Sequence, residues 1–227
     1  TEGNGASCLL LEKEPSPNGN SPFCAGSMLY CDDADEFKVY LDGEFAFVLY
    51  RGEMKRWGIC EGGEVADETA EKIRNEVVLK RARLYAMHLL EDMDRTESAL
   101  REKLKKAMYP ESAVQGAVEY VRSFGYLDDR RYAENFVLSR KDVKSRREIR
   151  ALLPRKGIPP ETADAALETC CESGGEYDAI RKVFRKKHFD PVKAGEAERQ
   201  KIFGYLARKG FRYEDVRQVI QDYNENA

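Results

Sequence analysis

Asp128 and Asp129 stand side by side in SFGYLDDRRYAENFVLSR (Ser123 to Arg140), after a glycine and before two arginines. Adjacent carboxylates serve general acid–base chemistry when their environments drive their pKa values apart. The rest of the chain gives such a pair nothing to work with. It has no GxxxxGK[ST], HExxH or GxSxG motif. Its only histidines, His88 and His188, lie far apart, and His88 sits beside Leu89 and Leu90 as a helix-face residue would. EGGEV (Glu61 to Val65) reads as a loop, because its acidic neighbours repel phosphate. Cys8, Cys24, Cys31, Cys60, Cys170 and Cys171 include no CxxC pair, which argues against structural zinc. They read as the reduced thiols of a cytoplasmic protein. No catalytic residue, metal or cofactor is expected.

The charged side chains point to binding instead. Between Ser139 and Lys156 run eight cations: Arg140, Lys141, Lys144, Arg146, Arg147, Arg150, Arg155 and Lys156, opposed locally by Asp142 and Glu148 alone. A second run, Arg181, Lys182, Arg185, Lys186 and Lys187, contains no acid. Arg181 and Arg185 are four apart, so on a helix their charges repel without a counter-ion. Helical spacing places Arg146, Arg147 and Arg150 on a solvent-facing strip, while Ile149 and Leu153 turn inward. Two such runs favour a polyanion or an acidic protein surface as partner. Aromatic residues are not interleaved with them beyond Phe184, so backbone contact is the better expectation for nucleic acid.

Net charge is −3, unevenly spread: residues 1–70 carry −9 and residues 71–227 carry +6. Charged residues make up 35% of the 227, above the roughly 25% of an ordinary domain. No stretch approaches the roughly 18 apolar residues of a membrane span, and no signal-peptide pattern is present.

Several elements must position these residues. Residues 1–34 are rich in Gly, Ser, Asn and Pro, without periodicity, and read as a disordered tail. Over 35–66, Phe37, Val39 and Leu41 alternate before Asp42-Gly43, and Phe45, Phe47 and Leu49 alternate after it. That pattern predicts a β-hairpin with a type I′ turn. Arg56 to Val65 reads as loop with a short third strand. From Asp67 the period becomes helical, and one long helix is expected to about Met93. Then Leu100, Leu104, Tyr109, Val114 and Val118 set a spacing of 4, 5, 5 and 4. It recurs at Ile149, Leu153, Ile158, Ala163 and Leu167, and again at Ile202, Leu206, Phe211, Val216 and Ile220. Such periodicity marks a repeat array. The expected fold is mainly α: three tandem three-helix repeats (67–127, 128–176 and 177–227) forming an elongated, curved array behind the hairpin.

Punctuation supports these units. Thr96 and Ser145 suit N-caps, and Ser145 to Glu148 fits a capping box. Gly157 and Gly210 follow helical stretches where a left-handed residue is wanted. Pro110 and Pro159-Pro160 suit helix starts, and Pro154 shortens the helix before it. Gly125 then ends a helix, Asp128 caps the next with Asp129 in its first turn, and Tyr132 starts the core of the second repeat. The carboxylate pair becomes a repeat junction.

Gly125, Tyr126, Leu127, Asp128, Asp129, Tyr132 and Ala133, followed by Arg147, Ile149, Leu153, Lys156, Gly157 and Ile158, resemble the central repeat of the RecX regulatory family. The hairpin is similar to the N-terminal extension of longer members, and the resemblance spans about 36–223. It implies a non-enzymatic regulator. Such a protein lies along the groove of the RecA recombinase filament and modulates, most often inhibits, recombinase and coprotease activity in DNA repair and the SOS response. The resemblance also associates DNA contact with the family; single- or double-stranded DNA backbone is the further partner expected here, and the chain is expected to act as a monomer. The binding residues expected on this basis are the cations of both runs, with Arg146, Arg147 and Arg150 first. A free-standing helical DNA-binding protein or transcription regulator, and a helical scaffold without nucleic acid, are the competing readings.

Overall fold

A computed structural model describes residues 5–12, 36–171 and 176–225, the first segment by its backbone. The chain is mainly helical and divides into two units, residues 1–127 and 128–227.

The first unit opens with an antiparallel sheet of order β3-β2-β1-β4. Its strands are β1 (Gly5–Glu12), β2 (Glu36–Leu41), β3 (Glu44–Tyr50) and β4 (Glu64–Ala66). The β2–β3 turn has Asp42 at φ 50° and Gly43 at φ 83°, the positive pair a type I′ turn requires. Val39, Leu41, Phe47 and Leu49 are buried as the alternation predicts. Phe45 is not, because the register shifts between Val39 and Tyr40. Ala46 takes the buried position, and Phe45 meets the Tyr40 ring edge-on at 5.8 Å. Two further expectations are corrected. Residues 5–12, read as disordered, pair with both β2 and β4; the remainder of that tail lies outside the described residues. Arg56 and Trp57, read as loop, close a short helix, α1 (Arg51–Trp57).

Arg81 ties this sheet to the helices. Its guanidinium donates to the Val48 carbonyl, pairs with Glu53 at 3.1 Å and lies 4.8 Å over the Tyr50 ring. The expected long helix is three segments: α2 (Asp67–Ile73), a π-helical stretch (Arg74–Leu79) and α3 (Lys80–Asp92). With α4 (Glu97–Lys106) and α5 (Glu111–Ser123) they make the first repeat. A Cβ on Gly116 would lie 2.7 Å from Leu79 Cδ1, so glycine permits α5 to approach the π-helical stretch.

The second unit holds two more repeats. One is α6 (Asp129–Leu138), α7 (Arg146–Leu152) with a 3₁₀ turn at Pro154–Lys156, and α8 (Pro160–Cys170). The other is α9 (Tyr177–Lys186), α10 (Glu196–Lys209) and α11 (Tyr213–Glu225). Pro154 ends α7 in a tight turn because its ring and missing N–H cannot continue an α-helix. All fifteen residues of the recurring 4-5-5-4 spacing are buried, from Leu100, Ile149 and Ile202 at its start to Val118, Leu167 and Ile220 at its end. Each of the larger side chains contributes roughly 1.5–3 kcal/mol by leaving water. The middle helix of each repeat also ends alike: Tyr109 N donates to Leu104 O, Ile158 N to Leu153 O and Phe211 N to Leu206 O. The residues that turn the chain there, Met108, Gly157 and Gly210, all have positive φ.

Candidate partner-binding cleft

Within the second unit, an open cleft of about 1060 Å³ lies between the second and third repeats. The start of α7 fixes its geometry. Ser145, fully buried, accepts the Glu148 amide through Oγ at 3.0 Å and donates the same hydroxyl to the Lys209 carbonyl at 2.6 Å. One side chain therefore caps α7 and holds the end of α10. Gly210 follows at φ 91°, where a Cβ would stand 2.9 Å from Arg147 Cβ. The reciprocal half of the expected capping box is not what Glu148 makes; its carboxylate pairs with Lys144 and lies 3.8 Å from Lys209.

The cations of the first run go to different places. Arg146 is half-buried: its amide donates to Glu176, and its guanidinium reaches the Leu167 carbonyl at 3.4 Å. Arg147 is exposed at the cleft and makes no ion pair among the described residues. Arg150, also exposed, is held by both oxygens of Asp164, with Nη2 to Oδ2 at 2.6 Å. That contact holds the Asp164 carboxyl below its ordinary range and raises the Arg150 guanidinium. The expected uniform strip of Arg146, Arg147 and Arg150 is thus three different situations. Arg140 lies 3.9 Å over the Phe136 ring, while Arg155 and Lys156 are exposed on the 3₁₀ turn, outside the cleft lining.

The second run is corrected as well. Arg181 lines the cleft with two counter-ions, Asp178 at 3.4 Å and Asp222 at 3.0 Å, and Lys182 lies 3.8 Å from Asp142. Asp178 stands on α9 itself, just before the run, while Asp222 reaches Arg181 from α11 and Asp142 reaches Lys182 from the turn before α7. Arg185 and Lys186 are exposed and hold no carboxylate among the described residues; Lys187 lies 4.7 Å over the Tyr205 ring.

Sequence reading missed Glu176, Arg212 and Asp215 on the cleft wall. Glu176 meets Arg146 across thirty residues of chain, a pairing no local spacing could reveal. Burial pushes its carboxyl up, Asp215 adds to this, and Arg146 and Arg212 pull it down. Burial likewise raises the Cys171 thiol, so Cys171 is held as the thiol rather than as an activated nucleophile. The junction residues do their expected work: Gly125 has φ 72°, Asp128 accepts the Arg131 amide at 3.0 Å, Asp129 opens α6, and Tyr132 stacks on Phe136 at 6.4 Å. The cleft can hold a partner through salt links over an apolar floor of Ile149, Leu167 and Phe211.

Residues 82–120, 128–167 and 175–220 match the first, second and third three-helix domains of RecX. The regulatory protein RecX of Caldanaerobacter subterraneus subsp. tengcongensis is 30% identical over 190 residues, covering 83% of this chain and 94% of that protein. The chain belongs to the RecX family of regulatory proteins. The family's regulatory protein RecX from Trichlorobacter lovleyi is 34% identical over 142 residues, 61% of this chain and 92% of that one. A crystal structure of regulatory protein RecX superposes with TM-score 0.56 at 24% identity, covering 81% of this chain and 92% of that chain. RecX from Lactobacillus salivarius gives TM-score 0.52 at 22% identity, covering 64% and 96%. These likenesses show a shared RecX fold. Among the described residues, no helix is long and apolar enough to cross a membrane.

Proposed function

We propose that this RecX-family chain binds the RecA recombinase filament in the cytoplasm and restrains its recombinase and coprotease activities in DNA repair and the SOS response. It acts as a monomer, by binding rather than by catalysis. The observation that carries this reading is the set of exposed cations that hold no carboxylate among the described residues: Arg147 at the cleft, Arg155 beyond α7, and Arg185 and Lys186 on α9. A solvated helix face tends to neutralise itself through i,i+4 pairs, as Arg130 does with Glu134 at 3.0 Å. Charges held out unpaired suit an acidic protein surface or the phosphate backbone of bound DNA.

Titration into a RecA strand-exchange or ATPase assay at fixed salt tests the function. Inhibition at stoichiometric amounts is expected, and no effect would sink the proposal. The same assay ranks the residues. Arg147→Glu should weaken action about tenfold, equivalent to about 1.4 kcal/mol. Arg150→Ala should change it little, because that guanidinium is already committed to Asp164.

A further inference from the structure

The exposed aromatic residues of the first unit pose a separate question. Phe124 is 57% exposed and Tyr126 51% exposed, on either side of Gly125. Burying large rings is favourable, so two of them held out by a short turn call for a partner. The turn itself is rigid. Gly125 N donates to Arg122 O at 2.9 Å and Tyr126 N to Val121 O at 3.1 Å. With Gly125 at φ 72°, these bonds make a Schellman ending for α5. The backbone that carries both rings is therefore fixed, which lowers the ordering cost of binding.

Their arrangement narrows the partner. Phe124 and Tyr126 have nearly parallel planes, 20° apart, with centroids 6.0 Å apart. Tyr120, half-buried, meets Phe124 edge-on, with centroids 4.9 Å apart and planes at 65°, and Arg83 covers the Tyr120 ring at 4.9 Å. Arg83 Nε is buried without a hydrogen-bond acceptor among the described residues. Arg122, on the last turn of α5, is half-exposed, and its partner Glu97 is shared with Arg101. Flat faces accompanied by guanidinium groups match unpaired bases on a phosphate chain, since every base has a π-face and every link a negative charge.

We propose that Phe124 and Tyr126 form a stacking platform for the unpaired bases of single-stranded nucleic acid, with Tyr120 bracing Phe124 edge-on and Arg83 and Arg122 supplying positive charge beside it. This site lies in the first repeat and does not depend on the cleft or on the recombinase.

The test uses the full chain and a fluorescein-labelled 20-mer of oligothymidylate, read by anisotropy, beside an abasic strand of the same length. The intact strand should bind about tenfold or more tightly than the abasic one, because each stacked base contributes independently of sequence. Phe124→Leu and Tyr126→Leu should erase that difference, and Phe124→Trp should restore it. Oligouridylate should behave as oligothymidylate does, since ring faces rather than the sugar are read. Equal binding of intact and abasic strands would overturn the proposal. So would leucine variants that retain the difference, which would make the patch an apolar protein-docking surface. No recombinase is present, so either result is independent of the function proposed above.

Discussion

Met108 occupies in the first repeat the left-handed position that Gly157 holds in the second: φ is 62° at one and 81° at the other. Both end the middle helix of their repeat, each followed by the same amide-to-carbonyl bond. An L side chain in that region costs roughly 1–2 kcal/mol, and glycine carries no such penalty. Met108→Gly is expected to stabilise the chain by about 1 kcal/mol, part of the relief being offset by the flexibility glycine adds to the unfolded chain. Thermal unfolding should show a midpoint higher by roughly 2–4 °C; a lower midpoint would mean that the Met108 side chain contributes more than its backbone costs.

Gly210 should respond in the opposite sense. Gly210→Ala places a Cβ against Arg147 Cβ at 2.9 Å and Ser145 Oγ at 3.0 Å, on a backbone at φ 91°. Steric and conformational costs together come to about 2–3 kcal/mol. Gly204→Ala on α10 is the control, because its added Cβ meets only Arg208 Nη1 at 3.7 Å. Denaturant midpoints of the two variants should separate clearly, the first falling and the second holding or rising.

Glu176 sets a pH dependence. Burial raises its folded pKa above the ordinary 4.5, with Asp215 reinforcing the shift and Arg146 and Arg212 opposing it. In the window just above 4.5 the folded state then binds more protons than the unfolded state, so stability falls as pH rises there. Glu176→Gln keeps an oxygen to accept the Arg146 amide but cannot ionise. Subtracting its stability–pH curve from that of the parent should leave this falling slope; a flat difference would show that Glu176 titrates normally.

Arg81 links the sheet to the helical part of the first unit. Removing it strands the Val48 carbonyl and leaves Glu53 without its cation. Arg81→Ala is expected to destabilise by about 2–3 kcal/mol, as for other hydrogen bonds to a charged group. Arg81→Lys should recover only part of this, since an ammonium cannot reproduce the planar fork. Urea unfolding of both variants provides the measurement.

Much of the fold was legible because its signals are local. Asp42-Gly43 dictates its turn, and the 4-5-5-4 spacing marks the buried face of each repeat. The Phe45 position was misread because a bulge is one residue of slippage, invisible to simple alternation. The cleft was harder. Arg150 and Arg181 read as free because Asp164 and Asp222 reach them from helices fourteen and forty-one residues away. Charge counted along the chain therefore overestimates charge presented to a partner. No periodicity marks the exposure of Phe124 and Tyr126, which flank the left-handed turn at Gly125.

The shared hydroxyl of Ser145 has a consequence for cooperativity. The same oxygen caps α7 and holds the carboxyl end of α10, so loss of the third repeat would leave a buried donor unsatisfied in the second. Repeat arrays are described by the intrinsic stability of each unit plus a coupling between neighbours. Here that coupling has an atomic address. The second and third repeats should open as one block in native-state hydrogen exchange, with α7 and α10 amides sharing a single opening free energy.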